Sequence, residues 1–97
     1  MRFTWDARKS TRNFRERGFD FEFATQIFEG TTLERVDSRR DYGERRVIAL
    51  GTAQDIVLTV AYTDRAEVGG ETNRRIISAR KSNRRERKAF KKANSAT

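Results

Sequence analysis

The chain has 97 residues, 35% of them hydrophobic and 37% charged, with a formal net charge of +8. That length allows one small domain with a small core. It contains neither cysteine nor histidine, which excludes a disulfide framework, a Cys/His zinc site and any nucleophilic triad with a histidine base.

The first ten residues, MRFTWDARKS, lack the apolar core of a signal peptide, and no window reaches the ~20 apolar residues of a membrane span. A cytoplasmic protein that binds no membrane is the expectation. Residues 3–5 read as a short strand or extended lead-in. Asp6 is placed to cap a first helix from Ala7 to about Arg17, with Phe14 as its apolar anchor and Gly18 as its left-handed C-cap. Asp20 caps a second helix. Phe19 before that cap packs on Ala24 as a staple, and Phe23, Ala24, Ile27 and Phe28 recur at helical spacing before Gly30 stops the helix. Two helices joined by two residues predict a helical hairpin.

The period then changes to that of strands. Thr32 to Asp37 is a weak strand, and Ser38 to Glu44 a polar turn around Tyr42-Gly43. Arg46–Leu50 and Ile56–Thr63 are stronger strands, rich in Val, Ile and Thr. The run from Ile56 to Tyr62 is apolar on both faces and predicts the central strand. A loop from Ala66 to Asn73 contains Gly69-Gly70, and Arg75 to Arg80 is the last strand. Asn83 with Glu86 three residues on forms a capping box for a basic helix from Arg84 to about Ala93, anchored by Phe90. Residues 1–93 are expected to form a single domain and residues 94–97 a disordered tail. The predicted fold is α+β, with the helical hairpin on one face of an antiparallel sheet of about four strands and the other face partly open.

Charge is distributed unevenly. Between Arg74 and Lys92 ten Lys/Arg stand against one acid, Glu86, whereas the rest of the chain holds twelve basic and thirteen acidic groups. A basic segment of this density attracts a polyanion, or serves as a solvated tail. Simple alternation along the last strand puts Ile76, Ser78 and Arg80 on one face and Arg75, Ile77 and Ala79 on the other. If Arg65 ends the central strand nearby, Arg65, Arg80 and Lys81 converge beside Ser78 on one concave surface. Such a cluster suits RNA cleavage without a metal. The 2′-hydroxyl attacks the adjacent phosphorus, and guanidinium groups stabilise the charge that builds on the phosphoryl oxygens. DNA lacks the 2′-hydroxyl and would be spared.

A base must replace the absent histidine. Lys81, Glu86, Tyr42 and Tyr62 are the candidates, and spacing does not choose among them. Taken singly, Ser78 reads more often as a packed hydroxyl, Arg75 as an edge charge, Lys9 as a solvated lysine, and Trp5 and Tyr62 as core; only their clustering points to a site.

The ordered set Trp5-Asp6-x-x-Lys9, Asn13, Gly18, Phe21, Ala24, then Asp41-Tyr42-Gly43-Glu44, Arg46 and Gly51, then Tyr62-Thr63-Asp64-Arg65, Arg75-Ile76-Ile77-Ser78-Ala79-Arg80-Lys81 and Arg84-Arg85-Glu86-Arg87 resembles the BrnT family of type II toxins. The resemblance runs from about Phe3 to Phe90. It implies a RelE-like fold and a ribonuclease toxin that inhibits translation, without a cofactor. It also implies a cognate BrnA-like antitoxin with a ribbon-helix-helix part, in a higher-order complex that reaches promoter DNA only through the antitoxin. By position, Arg65, Ser78 and Arg80 match residues associated with activity, and Lys9 matches a family lysine. With Lys81 they form the expected catalytic set, and Lys9, Arg75, Arg84, Arg85 and Arg87 the expected RNA-binding set. Two departures stand out. Glu16-Arg17-Gly18 replaces the frequent Lys-His-Gly, and the loop between Arg65 and Arg75 looks longer than usual. A non-catalytic nucleic-acid-binding module, and a degenerate toxin acting only in a repressor complex, remain alternatives.

Overall fold

The computed structural model describes residues 1–95 and shows an α+β fold. Its elements in chain order are β1 (Arg2–Trp5), α1 (Ala7–Arg17), α2 (Phe21–Ala24) running into a 3₁₀ turn (Thr25–Glu29), β2 (Leu33–Val36), β3 (Val47–Ala53), β4 (Ile56–Ala66), β5 (Thr72–Lys81) and α3 (Arg84–Ser95). The strands form one sheet in the order β1-β5-β4-β3-β2. β2 through β5 are an antiparallel meander, while β1 pairs parallel with β5, from Arg2 opposite Asn73 to Trp5 opposite Ile76. The sheet is therefore five-stranded and mixed, rather than four-stranded and antiparallel. The lead-in at residues 3–5 becomes its outer strand.

Local chemistry sets the helix ends where the residues place them. The Asp6 carboxylate accepts from the amides of Arg8 and Lys9, and Gly18 closes α1 at φ 85°. Asp20 accepts from the Phe23 amide at 2.8 Å. Asn83 and Glu86 exchange reciprocal bonds of 2.8 Å across the first turn of α3.

The expected helical hairpin is not formed. α2 is a single turn that tightens to 3₁₀ geometry, and both helices lie on the sheet. β-branched Thr25 and Ile27 and the nearby Gly30 give this segment little helical persistence. Nor is Phe14 the anchor of α1, being 59% exposed. Ser10, Asn13 and Arg17, a polar stripe along the helix, dock it instead. Ser10 Oγ accepts from the Phe21 amide at 3.0 Å, and Asn13 Nδ2 donates to the Phe19 carbonyl at 2.9 Å. Arg17 Nη1 reaches Asn13 Oδ1 at 2.9 Å and the Ala79 carbonyl at 3.1 Å. β1 ends opposite Ile76, so beyond it the edge of β5 is open, and Arg17 satisfies that backbone acceptor.

The core lies between the helices and one face of the sheet. Phe21, Ala24 and Ile27 meet Ala49, Leu58, Val60, Tyr62, Ile76 and Ala79. Gly51 permits this approach, since a Cβ there would stand 2.8 Å from the Ile27 Cβ. The Arg74 guanidinium closes one end of the core. It lies 4.0 Å from the centre of the Tyr62 ring and 4.8 Å from that of Phe28, and its two nitrogens each reach the Asp64 carboxylate at 2.8 Å. The predicted central strand is β4, flanked on both sides.

α3 covers part of the opposite face, with Phe90 buried beneath it. Its helix continues through Asn94 and Ser95, which were expected in the tail. The remaining tail residues, 96 and 97, lie outside the described residues. None of the RelE-like details anticipated at the amino end, neither a helical hairpin nor a four-stranded sheet, is reproduced. No described helix is long and apolar enough to cross a membrane.

Candidate nucleic-acid site

β4 and β5 are out of step by one residue. Ala61 pairs with Ser78 but Tyr62 pairs with Ile76, so Ile77 is an extra residue in β5. Such a bulge reverses the facing of every side chain on one side of it. The simple alternation is corrected accordingly. Ile76 joins Ala79 on the helix-covered face, whereas Arg75, Ser78 and Arg80 all belong to the other face, opposite Thr63, Ala61 and Thr59. Without the extra residue Arg75 would point into the helical layer. The bulge thus converts a mixed strand into one apolar ladder and one cationic ladder.

On this open face Arg65 follows Thr63 in the next outward position of β4. Arg65 and Arg80 therefore share a face, but six residues of strand, about 20 Å, separate their rows. Each meets a different carboxylate. Arg80 holds Glu86 with two bonds, Nη1–Oε1 at 2.7 Å and Nη2–Oε2 at 2.8 Å. Arg65 Nη2 is 3.4 Å from Glu44 Oε1 and 64% of its side chain is exposed. The expected convergence on one point is corrected to a trough. Along it Thr59 and Thr63 are buried, Ala61 is half-buried and Ser78 is exposed, with Arg80 at one end and Arg65 and Arg75 towards the other.

The far end of the trough is built by the turn between β2 and β3, which holds Tyr42 and the family-like stretch Asp41-Tyr42-Gly43-Glu44. Asp37 is buried there. It accepts two bonds of 2.8 Å from Arg39 and one of 3.1 Å from the Tyr42 hydroxyl, and these donors hold its carboxyl well below the usual range. The Arg46 guanidinium stacks 4.0 Å from the centre of the Tyr42 ring, and its Nε donates to Glu44 at 3.1 Å. Arg46 first and Arg65 second keep the Glu44 carboxyl below its ordinary value. The bond to Glu86 holds the Arg80 guanidinium above its ordinary value, with Arg39 a smaller opposing influence. Arg39 and Arg46 are thus site candidates that spacing missed. The available signal was Asp37 two residues ahead of Arg39, in a turn carrying a lone tyrosine.

Among the proposed bases, Glu86 is nearest to Arg80. The bond from Arg80 is the largest of several causes that bring its carboxyl down to about 2. Tyr42 donates to Asp37 as described. Tyr62 is buried on the covered face, where burial raises its hydroxyl and Glu34 accepts from it at 2.7 Å. Lys81 pairs with Leu58 and lies beside Phe19 and Phe23, on the covered side of the sheet. It does not join Ser78 and Arg80.

The expected RNA-binding residues divide as well. Arg75 has no ion pair among the described residues and stands in the trough. Arg85 lies on the side of α3 that faces β2, Arg87 donates to the Ser82 carbonyl at 2.7 Å on the side near Val57, and Arg84 is exposed. Lys9 is exposed on α1 and shares no bond with the strand residues.

Arg65, Arg75 and Arg80 thus form one row of guanidinium groups on a single face of a basic α+β fold, a charge pattern of the kind that attracts polyanions. The family model described as "Ribonuclease toxin, BrnT, of type II toxin-antitoxin system" matches residues 5–86, and the chain belongs to that family. Comparison with curated proteins gives no match. Membership implies ribonuclease toxicity and a cognate antitoxin.

Proposed function

We propose that the protein is an endoribonuclease toxin whose trough binds the RNA backbone across β4 and β5 and cleaves it without a metal, so inhibiting translation in the cytoplasm. The observation that carries this reading is the common facing of Arg65, Arg75, Ser78 and Arg80 produced by the bulge at Ile77. Three guanidinium groups spaced along two strands match a chain of phosphates better than a single one. Arg65 and Arg75 hold the strand, with Arg84, Arg85 and Arg87 extending the positive surface along α3. Ser78 and Arg80 stand where the scissile phosphate would lie.

The base is Glu86. Its carboxyl is a poor proton acceptor chiefly while Arg80 binds it. When Arg80 turns onto a phosphoryl oxygen, that contact is lost and the carboxylate becomes more basic beside the 2′-hydroxyl. One movement thus supplies charge stabilisation and a base together. Attack forms the 2′-oxygen–phosphorus bond as Glu86 takes the 2′-proton, the phosphorus–5′-oxygen bond breaks with its electron pair going to the 5′-oxygen, that oxygen takes a proton from water, and the products are a 2′,3′-cyclic phosphate and a 5′-hydroxyl.

The single domain, residues 1–93 with the end of α3, would be neutralised by a BrnA-like ribbon-helix-helix antitoxin. Promoter DNA would be reached only through that partner, in a higher-order complex. Purified protein should cleave RNA in EDTA to 2′,3′-cyclic phosphate ends, and an RNA with a single 2′-deoxy substitution at the scissile nucleotide should resist. Cleavage of the deoxy substrate, or 3′-hydroxyl ends, would sink the proposed attack. A second reading rests on the pairing of Arg65 and Arg80 with Glu44 and Glu86 in a chain without histidine. It makes the trough a binding surface only, with salt-sensitive affinity for RNA and DNA alike and no cleavage.

A further inference from the structure

Beside the trough, α3 does not lie flat on the sheet. Between its first turns and the β2 edge is a groove of about 460 Å³. Leu33, Ile48, Leu50 and Ala89 line its apolar part, and Arg35 on β2 and Arg85 on α3 stand on opposite rims. Leu33 is 37% exposed on β2, which has no strand beyond it among the described residues. Arg35 and Arg85 form no ion pair among the described residues, in contrast to Arg39, Arg46, Arg65, Arg74 and Arg80, which all do. The groove's two acids, Glu34 and Glu86, are already engaged by Tyr62 and Arg80, so its apolar floor between two cations without an ion pair is complementary to a segment that alternates apolar side chains with carboxylates.

We propose that this groove is the docking site of an acidic amphipathic segment of the antitoxin. Its apolar side chains rest on Leu33, Ile48, Leu50 and Ala89, and its carboxylates meet Arg35 and Arg85. Glu86 borders the groove and holds Arg80, so the occupied groove pins the first turn of α3 and keeps Arg80 on Glu86, away from RNA. Neutralisation then needs no contact with the trough itself. The inference rests on the reading of the chain as a toxin with a cognate antitoxin, and it makes the groove and the trough separable by mutation.

Leu33→Glu and Ala89→Glu put carboxylates into the groove at exposed positions outside the cleavage machinery. Phe14→Glu, on exposed α1, is the control. The probe is the purified antitoxin polypeptide from the reading frame adjoining that of the toxin, titrated calorimetrically against each folded full-length variant. Both groove variants should raise its Kd at least tenfold, Phe14→Glu should leave it within twofold, and Arg35→Glu should flatten the salt dependence. RNA cleavage by the free groove variants should match the parent. Unchanged affinity in both groove variants, or weakening by Phe14→Glu alone, overturns the proposal. So does a dimer of the free chain that Leu33→Glu dissociates, which would assign the groove to a second copy. If the parent binds the antitoxin but cleaves no RNA, the cleavage reading fails, and the affinities still decide the docking site.

Discussion

The two faces of this sheet are built from the same strands and obey different physics. On the helix-covered face, Leu58, Val60 and Ile76 are almost wholly buried. Their contribution follows from area removed from water, at roughly 25 cal/mol per Å². On the open face, Arg65, Arg75 and Arg80 stay in contact with water, and the carboxylates opposite two of them contribute little net stability in so exposed a setting. The covered face stabilises the domain. The open face holds charge in position at the surface. Even among neighbours this division is sharp. Arg74 is packed on two aromatic rings and bound to Asp64, so it serves the core, while Arg75, on the opposite face, has no ion pair among the described residues.

If the division is real, mutations on the two faces should separate stability from activity. The largest effect belongs to Leu58→Ala. It should cost about 2–5 kcal/mol in chemical denaturation, because a fully buried side chain leaves a cavity, with cleavage per folded molecule unchanged. Arg80→Ala should do the reverse. RNA cleavage should fall at least ~100-fold, equivalent to about 2.7 kcal/mol of transition-state stabilisation, while stability changes by about 1 kcal/mol or less. A folded Arg80→Ala variant with full activity would remove the site from the open face.

Acid sharpens the comparison further. The folded-state carboxyl of Glu86 titrates at about 2, below its ordinary value of 4.5. A depressed carboxyl stabilises the fold above its unfolded pKa and loses that contribution as pH falls through the folded value. Part of the acid destabilisation between about pH 4.5 and 2 should therefore disappear in Glu86→Gln, by on the order of 1 kcal/mol after allowance for solvent screening, as read from denaturation midpoints across that range. Cleavage at neutral pH should fall in the same variant. The smallest effect lies away from both faces, in the turn joining β3 to β4. Gln54 and Asp55 occupy it at φ 49° and 69°. Asp55→Gly should raise stability by less than ~1 kcal/mol and leave cleavage unaltered, since glycine adopts such angles without steric cost.

How far the site was legible varies with the range of the interactions involved. The caps at Asp6, Gly18, Asp20 and Asn83 were readable because each bond spans four residues or fewer. The central position of β4 was readable from its two apolar faces. The facing of Arg75 was not, because nothing in Arg75-Ile76-Ile77-Ser78 marks which residue is extra until β4 pairs beside it. Lys81 was misplaced by the assumption that a lysine next to an arginine shares its surface, although neighbours along a strand point oppositely. The docking of α1 was misread for a related reason. Phe14 was taken as its anchor, yet the carbonyl groups of Phe19 and Ala79 called for Asn13 and Arg17 instead.

What the amino-acid sequence determined alone was the order and approximate extent of most elements, the concentration of positive charge in β5 and α3, and the absence of the histidine and cysteine chemistries. These follow from local spacing and from composition. Tertiary structure decided which arginines serve the core and which face solvent, that β1 completes the sheet, and that a groove opens between α3 and β2. The reason is strand pairing. Hydrogen bonds between residues far apart in the chain settle the register, and one residue of register decides on which side of the sheet each charge is displayed.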